Sequence, residues 1–104
     1  MSAPLDELPG ADLVLRGADD WRHHRETAEA ALVEIARTRL RSLGVSLPER
    51  PAPAVDAELR LYERLGVRYP DRDPYVLYCA WLDQLVSFLA ALGQRRDRER
   101  RIEA

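Results

Sequence analysis

Residues 73–92 read DPYVLYCAWLDQLVSFLAAL, and the fold turns on how this segment distributes its apolar side chains. Asp73 followed by Pro74 is a helix start. The carboxylate accepts from the free N–H groups of the first turn, and proline at N1 lacks an N–H that would go unused there. At 100° per residue, Leu77, Phe88, Leu92, Leu85, Tyr78, Leu89, Leu82, Tyr75 and Val86 fan out from Trp81 over about 180°. A helix lying on a core needs only about 100° of apolar face. The spacing therefore predicts a helix over 73–92 that either sits at the centre of the fold or gives part of its surface to a partner. On the remaining side Ala80, Gln84, Ser87 and Ala91 recur at i, i+4, i+7 and i+11, a small-residue stripe that lets a second helix come close.

The rest of the chain is punctuated as helix too. A first helix is expected over about 10–25, with Leu13, Val14, Gly17, Ala18 and Trp21 on one face and a close approach at Gly17, which has no Cβ. A second follows over about 27–43. Thr27 is its N-cap, Leu32, Ile35, Ala36, Leu40 and Leu43 face inward, and Glu34, Arg37, Thr38 and Arg41 form the solvent stripe. The segment SLPERPAPAVD, with Pro48, Pro51 and Pro53, is an extended connector. It leads to a third helix over about 56–65. Residues 1–9 carry two prolines and no periodicity and are expected to be an arm; the charged residues 94–104 form a tail after the fourth helix. SLGVSLPER at 42–50 echoes RLGVRYPDR at 64–72. This similarity is expected to be one helix stop used twice: glycine takes the left-handed conformation after the last turn, and Val45 or Val67 closes over Leu40 or Tyr62. The expectation is an all-α, compact four-helix bundle-like single domain over 1–104, with the 73–92 helix at its centre.

Composition narrows the function classes. The chain has 104 residues, 46% of them hydrophobic, and a formal charge of −2, enough for one core and too neutral for a global nucleic-acid field. Every basic residue is Arg, and charge is uneven: residues 1–34 carry eight acids against three Arg, the remainder ten against thirteen. The single Cys79 excludes an internal disulfide framework and fits a reducing compartment. With no basic-then-apolar leader and no apolar run near 18 residues, a cytoplasmic protein without a membrane contact is expected.

Chemistry-bearing residues are few. The stretch DDWRHHR at 19–25 holds both histidines. With Trp21 inward, His23 falls on an outward stripe with Asp12, Arg16 and Asp19, while His24 falls at the edge of the apolar face near Asp20. Adjacent histidines on a helix diverge by about 100°, so they do not share a metal ion. No nucleophile elbow or phosphate-binding glycine loop occurs, and no cofactor is expected. The tail RRDRERR at 95–101 pairs Arg95 with Glu99 and Asp97 with Arg101 at i, i+4, as a solvated helical face does. Nucleic-acid contact there has no interleaved stacking aromatic to support it.

Arg16 and His23, spaced as Arg-x6-His, resemble the Arg-x(4–6)-His motif of the HEPN ribonucleases, all-helical domains whose Arg and His act on RNA across a dimer interface. The resemblance covers those two residues and implies an alternative function as a ribonuclease. Here the motif falls on the first helix, whereas the family carries it on a late one. The leading expectation is a non-enzymatic protein that works by contact with a protein partner or with its own copies, as accessory, antitoxin or immunity-type subunits do. Tyr75, Tyr78, Trp81 and Phe88 are its expected anchors, and Ala80, Gln84 and Ser87 the close-packing positions.

Overall fold

The computed structural model describes residues 5–49 and 56–103. After a short 3-10 turn at Leu5–Glu7 come α1 (Ala11–Arg22), α2 (Ala28–Ile35), α3 (Arg37–Ser42), α4 (Ala57–Arg68) and α5 (Pro74–Glu103). The architecture is all-α and consistent with a four-helix arrangement, because α2 and α3 are two halves of the expected 27–43 helix, kinked at Ala36. No glycine or proline causes this kink. Glu34, in the last turn of α2, is held by α4 through Arg60 near the start of that helix. Past it the chain turns away, burying Leu40.

Helix α2 lies at the centre, and this corrects the expectation that the 73–92 helix does so. Ala28, Glu29, Ala30, Ala31, Leu32 and Val33 are consecutive and all buried, so every face of α2 is covered. Helix α1 lies across it at Gly17, where an added Cβ would stand 2.3 Å from the Glu29 carbonyl oxygen and 2.5 Å from a Val33 methyl. Val14, Ala18 and Trp21 complete the contact face of α1. Helix α4 flanks the other side with Leu61 and Leu65. Helix α5 closes the bundle with one row, Leu77, Trp81, Leu85, Phe88 and Leu92.

The caps expected at Thr27 and Asp73 are present, and Asp56, expected only as the start of its helix, caps as well. Thr27 Oγ1 accepts from Ala30 N–H at 3.1 Å, Asp56 Oδ1 from Glu58 N–H at 2.8 Å, and Asp73 Oδ1 from Tyr75 N–H at 2.9 Å. The stops differ. Glycine does end α3: Gly44 has φ 94°, Val45 N–H donates to the Leu40 carbonyl at 3.0 Å and Gly44 N–H to that of Arg41 at 3.1 Å, and Val45 is buried. The same pair of bonds ends α1 at Arg22, not at 25, with His24 in the left-handed position at φ 57°. Arg25 N–H donates to the Asp20 carbonyl at 2.8 Å and His24 N–H to that of Trp21 at 3.2 Å. The motif is thus used twice, but at 23–25 and 43–45. The second expected copy is not a stop: α4 runs through Gly66 to Arg68, and Val67 is 83% exposed. Arg68 is held on the helix by Glu29, and the chain leaves the helix only at Tyr69, where the following Pro70 disfavours helical backbone.

Helix α5 likewise passes the expected end at Leu92 and continues to Glu103. At about 1.5 Å per residue its 30 residues make a rod near 45 Å, which accounts for the 49 Å long axis of the molecule. The expected tail is therefore helix, and it is partly docked. Arg96 Nε donates to the Leu43 carbonyl at 2.9 Å, so α5 supplies the cation that satisfies the end of α3. The prolines Pro51 and Pro53 of the connector lie outside the described residues, as do residues 1–4 of the arm. Within the described part of the connector, Trp21 Nε1 donates to the Pro48 carbonyl at 2.8 Å and Arg22 to that of Ser46 at 2.9 Å.

Two substitutions test this account by urea unfolding. Gly17→Ala forces a Cβ against backbone and should lower stability by about 1–3 kcal/mol, the cost of overpacking. His24→Gly relieves a left-handed residue that bears a Cβ and should raise stability by about 1 kcal/mol. An unchanged midpoint for either would contradict the corresponding geometry.

Candidate functional site

Three places on the surface combine chemistry with geometry. The first is the flank shared by α4 and α5. A second apolar row, Tyr75, Cys79, Leu82, Val86 and Leu89, runs along α5 about 120° round the helix from the row that packs the core. Tyr75 and Val86 are each 62% exposed, and Cys79, Leu82 and Leu89 are half-buried. Tyr78 stands between the two rows and meets Tyr62 of α4 edge-on, with ring centroids 6.2 Å apart. Tyr62 and Leu59 are themselves exposed and carry the apolar surface onto α4.

The aromatic anchors expected from sequence thus divide. Phe88 and Trp81 belong to the core, at 0% and 8% exposure, while Tyr75 and Tyr78 lie on the flank. Burial pushes the Tyr78 phenol above its ordinary range, reinforced by the carboxylates of Glu58 and Asp56. Tyr75 moves the same way through a hydrogen bond with Cys79, one turn on. The small-residue stripe is largely open: Ala80, Gln84 and Ser87 are exposed. What comes close there is the start of α1. A Cβ on Gly10, whose φ is 75°, would lie 2.2 Å from the Gln84 carbonyl oxygen.

The second place is a groove of about 640 Å³ where α1, α2 and α4 meet. At its base is Glu29, 3% exposed, which accepts from Arg68 and faces Arg16 at 3.8 Å. Arg64 enters the same groove and donates to the Thr27 carbonyl at 2.7 Å. Together with Arg60, which pairs with Glu34, these residues form a ladder at i, i+4 and i+8 on α4 that grips α2. Glu34 was expected on the solvent stripe; its side chain is only 8% exposed. Sequence reading missed this ladder, although Arg60, Arg64 and Arg68 recur every four residues beside Leu61 and Leu65. The groove is lined by Arg16, Arg64 and Arg68 against Glu26, Glu29 and Glu63. Those charges cancel, and among the described residues that line it there is no histidine and no nucleophile other than the capping Thr27.

The third place is the end of α1. His23 Nδ1 lies 2.8 Å from the Asp19 carbonyl oxygen and 3.3 Å from its carboxylate. Asp20, 6% exposed, accepts from Thr27 at 2.7 Å and from Arg25 at 3.1 Å. The Asp20 carboxylate raises the Arg25 guanidinium above its ordinary value, and Asp19 adds to the effect. The structure does not bring Arg16 and His23 together. They stand two turns apart, about 10 Å along the helix, the first turned to Glu29 and the second to Asp19. His24 has left the helix and is exposed, so it is not at the edge of the apolar face. Among the described residues no group of three or more His, Cys, Asp or Glu side chains is arranged to hold a metal ion.

By length and composition alone α5 is apolar enough to cross a membrane; 28% of its most apolar 18-residue window is buried. No protein-family model, no curated protein and no solved structure matches this chain.

The groove makes a stability prediction. Glu29→Gln keeps the shape but removes a buried charge hydrogen-bonded to guanidinium, and should cost about 1.5–3 kcal/mol. Arg16→Ala removes a partner that is 65% exposed and 3.8 Å away, and should cost less than about 0.5 kcal/mol. Equal losses for the two variants in chemical denaturation would show that Arg16, not Arg68, carries the pairing.

Proposed function

We propose that this protein works by protein–protein contact through the α4–α5 flank. The observation that supports the reading is the second apolar row on α5: Tyr75 and Val86, each 62% exposed, in register with half-buried Cys79, Leu82 and Leu89. Single exposed apolar side chains are ordinary on a protein surface. A continuous row with tyrosines beside it is not, since it leaves a helix-length strip of hydrocarbon in water and supplies the residue type that dominates interface energetics. Tyr75, Tyr78 and Tyr62 are the anchors in this reading, with Leu59, Leu82 and Val86 as the apolar floor. Trp81 and Phe88 hold the flank in place from behind. Catalysis has weaker support: the buried acids Glu29, Glu34 and Asp20 are each engaged by an arginine that holds the fold.

The test is Val86→Arg, made in the cell that produces the protein. The side chain is exposed, so stability should change by no more than about 0.5 kcal/mol. The native mass of the species containing this chain should fall toward 11.9 kDa. A wild-type chain that migrates alone in its own cell extract, indistinguishable from the variant, would sink the reading.

A further inference from the structure

We infer that the uncovered row on α5 is the seam of a two-fold antiparallel dimer of this chain, centred on residue 84. The inference rests on the reading of that flank as an interaction surface and names its occupant as a second copy. Extended by one step, the row is Tyr75, Cys79, Leu82, Val86, Leu89 and Gly93, with spacings of 4, 3, 4, 3 and 4. That is the alternation with which one helix lies along another. The spacing also reads the same from either end. An antiparallel second copy in this register sets Tyr75 across from Gly93, Cys79 across from Leu89, and Leu82 across from Val86.

Side-chain volumes favour this orientation. The largest residue of the row meets the smallest, and the inner pairs are of medium size. A parallel pairing would set Tyr75 on Tyr75 and leave two glycines facing each other across a void. Gly93 lies inside α5, where glycine costs roughly 0.5–1 kcal/mol against alanine. Among the described residues nothing calls for its lack of a side chain: there an added Cβ would meet only a guanidinium nitrogen of Arg39, at 3.7 Å. The dimer supplies a reason. Gly93 is the notch for the partner's Tyr75, and the exposed Arg39 is placed to lie against that ring.

Charge points the same way. Asp71 and Asp73 flank Arg72 at the start of α5, and Asp56 and Glu58 lie near Tyr78. Past Gly93 the exposed side chains include Arg98, Arg100 and Arg101 against Asp97. Antiparallel pairing brings the basic end of each rod to the acidic end of the other and opposes the two helix dipoles. Parallel pairing sets like against like.

Sedimentation equilibrium of the purified full chain is the first measurement, with a mass of twice 11.9 kDa expected for the wild type. Val86→Arg and Gly93→Leu should each weaken the dimer at least tenfold while helical circular dichroism is retained. Orientation is read from spin labels on Arg98→Cys in a Cys79→Ser background: antiparallel pairing about residue 84 separates the two backbone sites by about 42 Å along the axis, whereas parallel pairing brings them to about the 10 Å between packed helices. A wild type that is monomeric at high micromolar concentration overturns the dimer. So does a dimer indifferent to Val86→Arg, a short label distance, or a chain that partitions onto lipid vesicles in place of pairing. If the wild type is monomeric but Val86→Arg strips a partner from it in its own cells, the dimer falls and the interaction reading stands. If the substitution changes neither, both fall.

Discussion

Helix α2 is enclosed on all sides, and that enclosure sets the terms for everything packed round it. Residues 28–33 are buried one after another, so the helix has no solvent face on which to place a charge. Yet Glu29 lies within that run, and Glu34, which follows it directly, has a side chain only 8% exposed. A carboxylate taken out of water costs several kcal/mol unless a cation with good geometry meets it. Helix α4 provides such cations, with Arg60 on Glu34 and Arg68 on Glu29, while Arg64 takes the Thr27 carbonyl between them. The ladder fixes the register of α4 against α2, which Leu61 and Leu65 alone would leave free to slide by a turn. On the opposite side, enclosure demands that α1 come close. Gly17 is what permits it, with the Glu29 carbonyl standing where a side chain would be.

The helix ends follow from the same need to satisfy groups that packing removes from water. Two left-handed caps, at His24 and Gly44, reverse the chain so that α1 can hand over to α2 and α3 to the connector. In the second, Val45 folds inward over the closing turn, and Trp21 donates to the Pro48 carbonyl just beyond it. Arg96, from the far end of α5, takes the free carbonyl of Leu43. That bond ties the basic extension to the body of the protein and explains why residues 93–99 are helix rather than tail.

Much of this was legible in the sequence, and the parts that were not share a cause. Starts were readable because capping is local: Thr27 and Asp73 each act within three residues, and so does Asp56, whose cap the sequence reading did not name. The close approach at Gly17 was readable from its place on an apolar face. Ends were harder. Gly44 and Gly66 sit in nearly the same local string, yet one ends a helix and the other does not. The difference lies outside the string: Val45 finds the core, whereas Val67 faces water and Arg68 is held by Glu29. The same blindness hid the acid–arginine ladder and the central position of α2. Its eight residues are apolar on nearly every side, the mark of a fully covered helix, but α5 has the larger side chains and drew the argument. On the candidate surface, sequence pooled Tyr75, Tyr78, Trp81 and Phe88, and only packing could divide them into flank and core.

The apolar side chains of α5 fall into two rows at different angles round the helix. One row faces the bundle at 77, 81, 85, 88 and 92, and the other faces outward at 75, 79, 82, 86 and 89. A rod about 45 Å long has room for both because the rows are offset by roughly a third of a turn. No residue in the outer row must change for the inner one to pack, and Tyr75 and Val86 owe little of their environment to the core. Helix α2 offers the contrast: with every face committed to the monomer, it has no surface left for anything else. The apolar surface that the fold leaves uncommitted therefore lies on the helix at the edge of the bundle. The mismatch between its apolar girth and the share that the bundle covers is what remains once the fold has been accounted for.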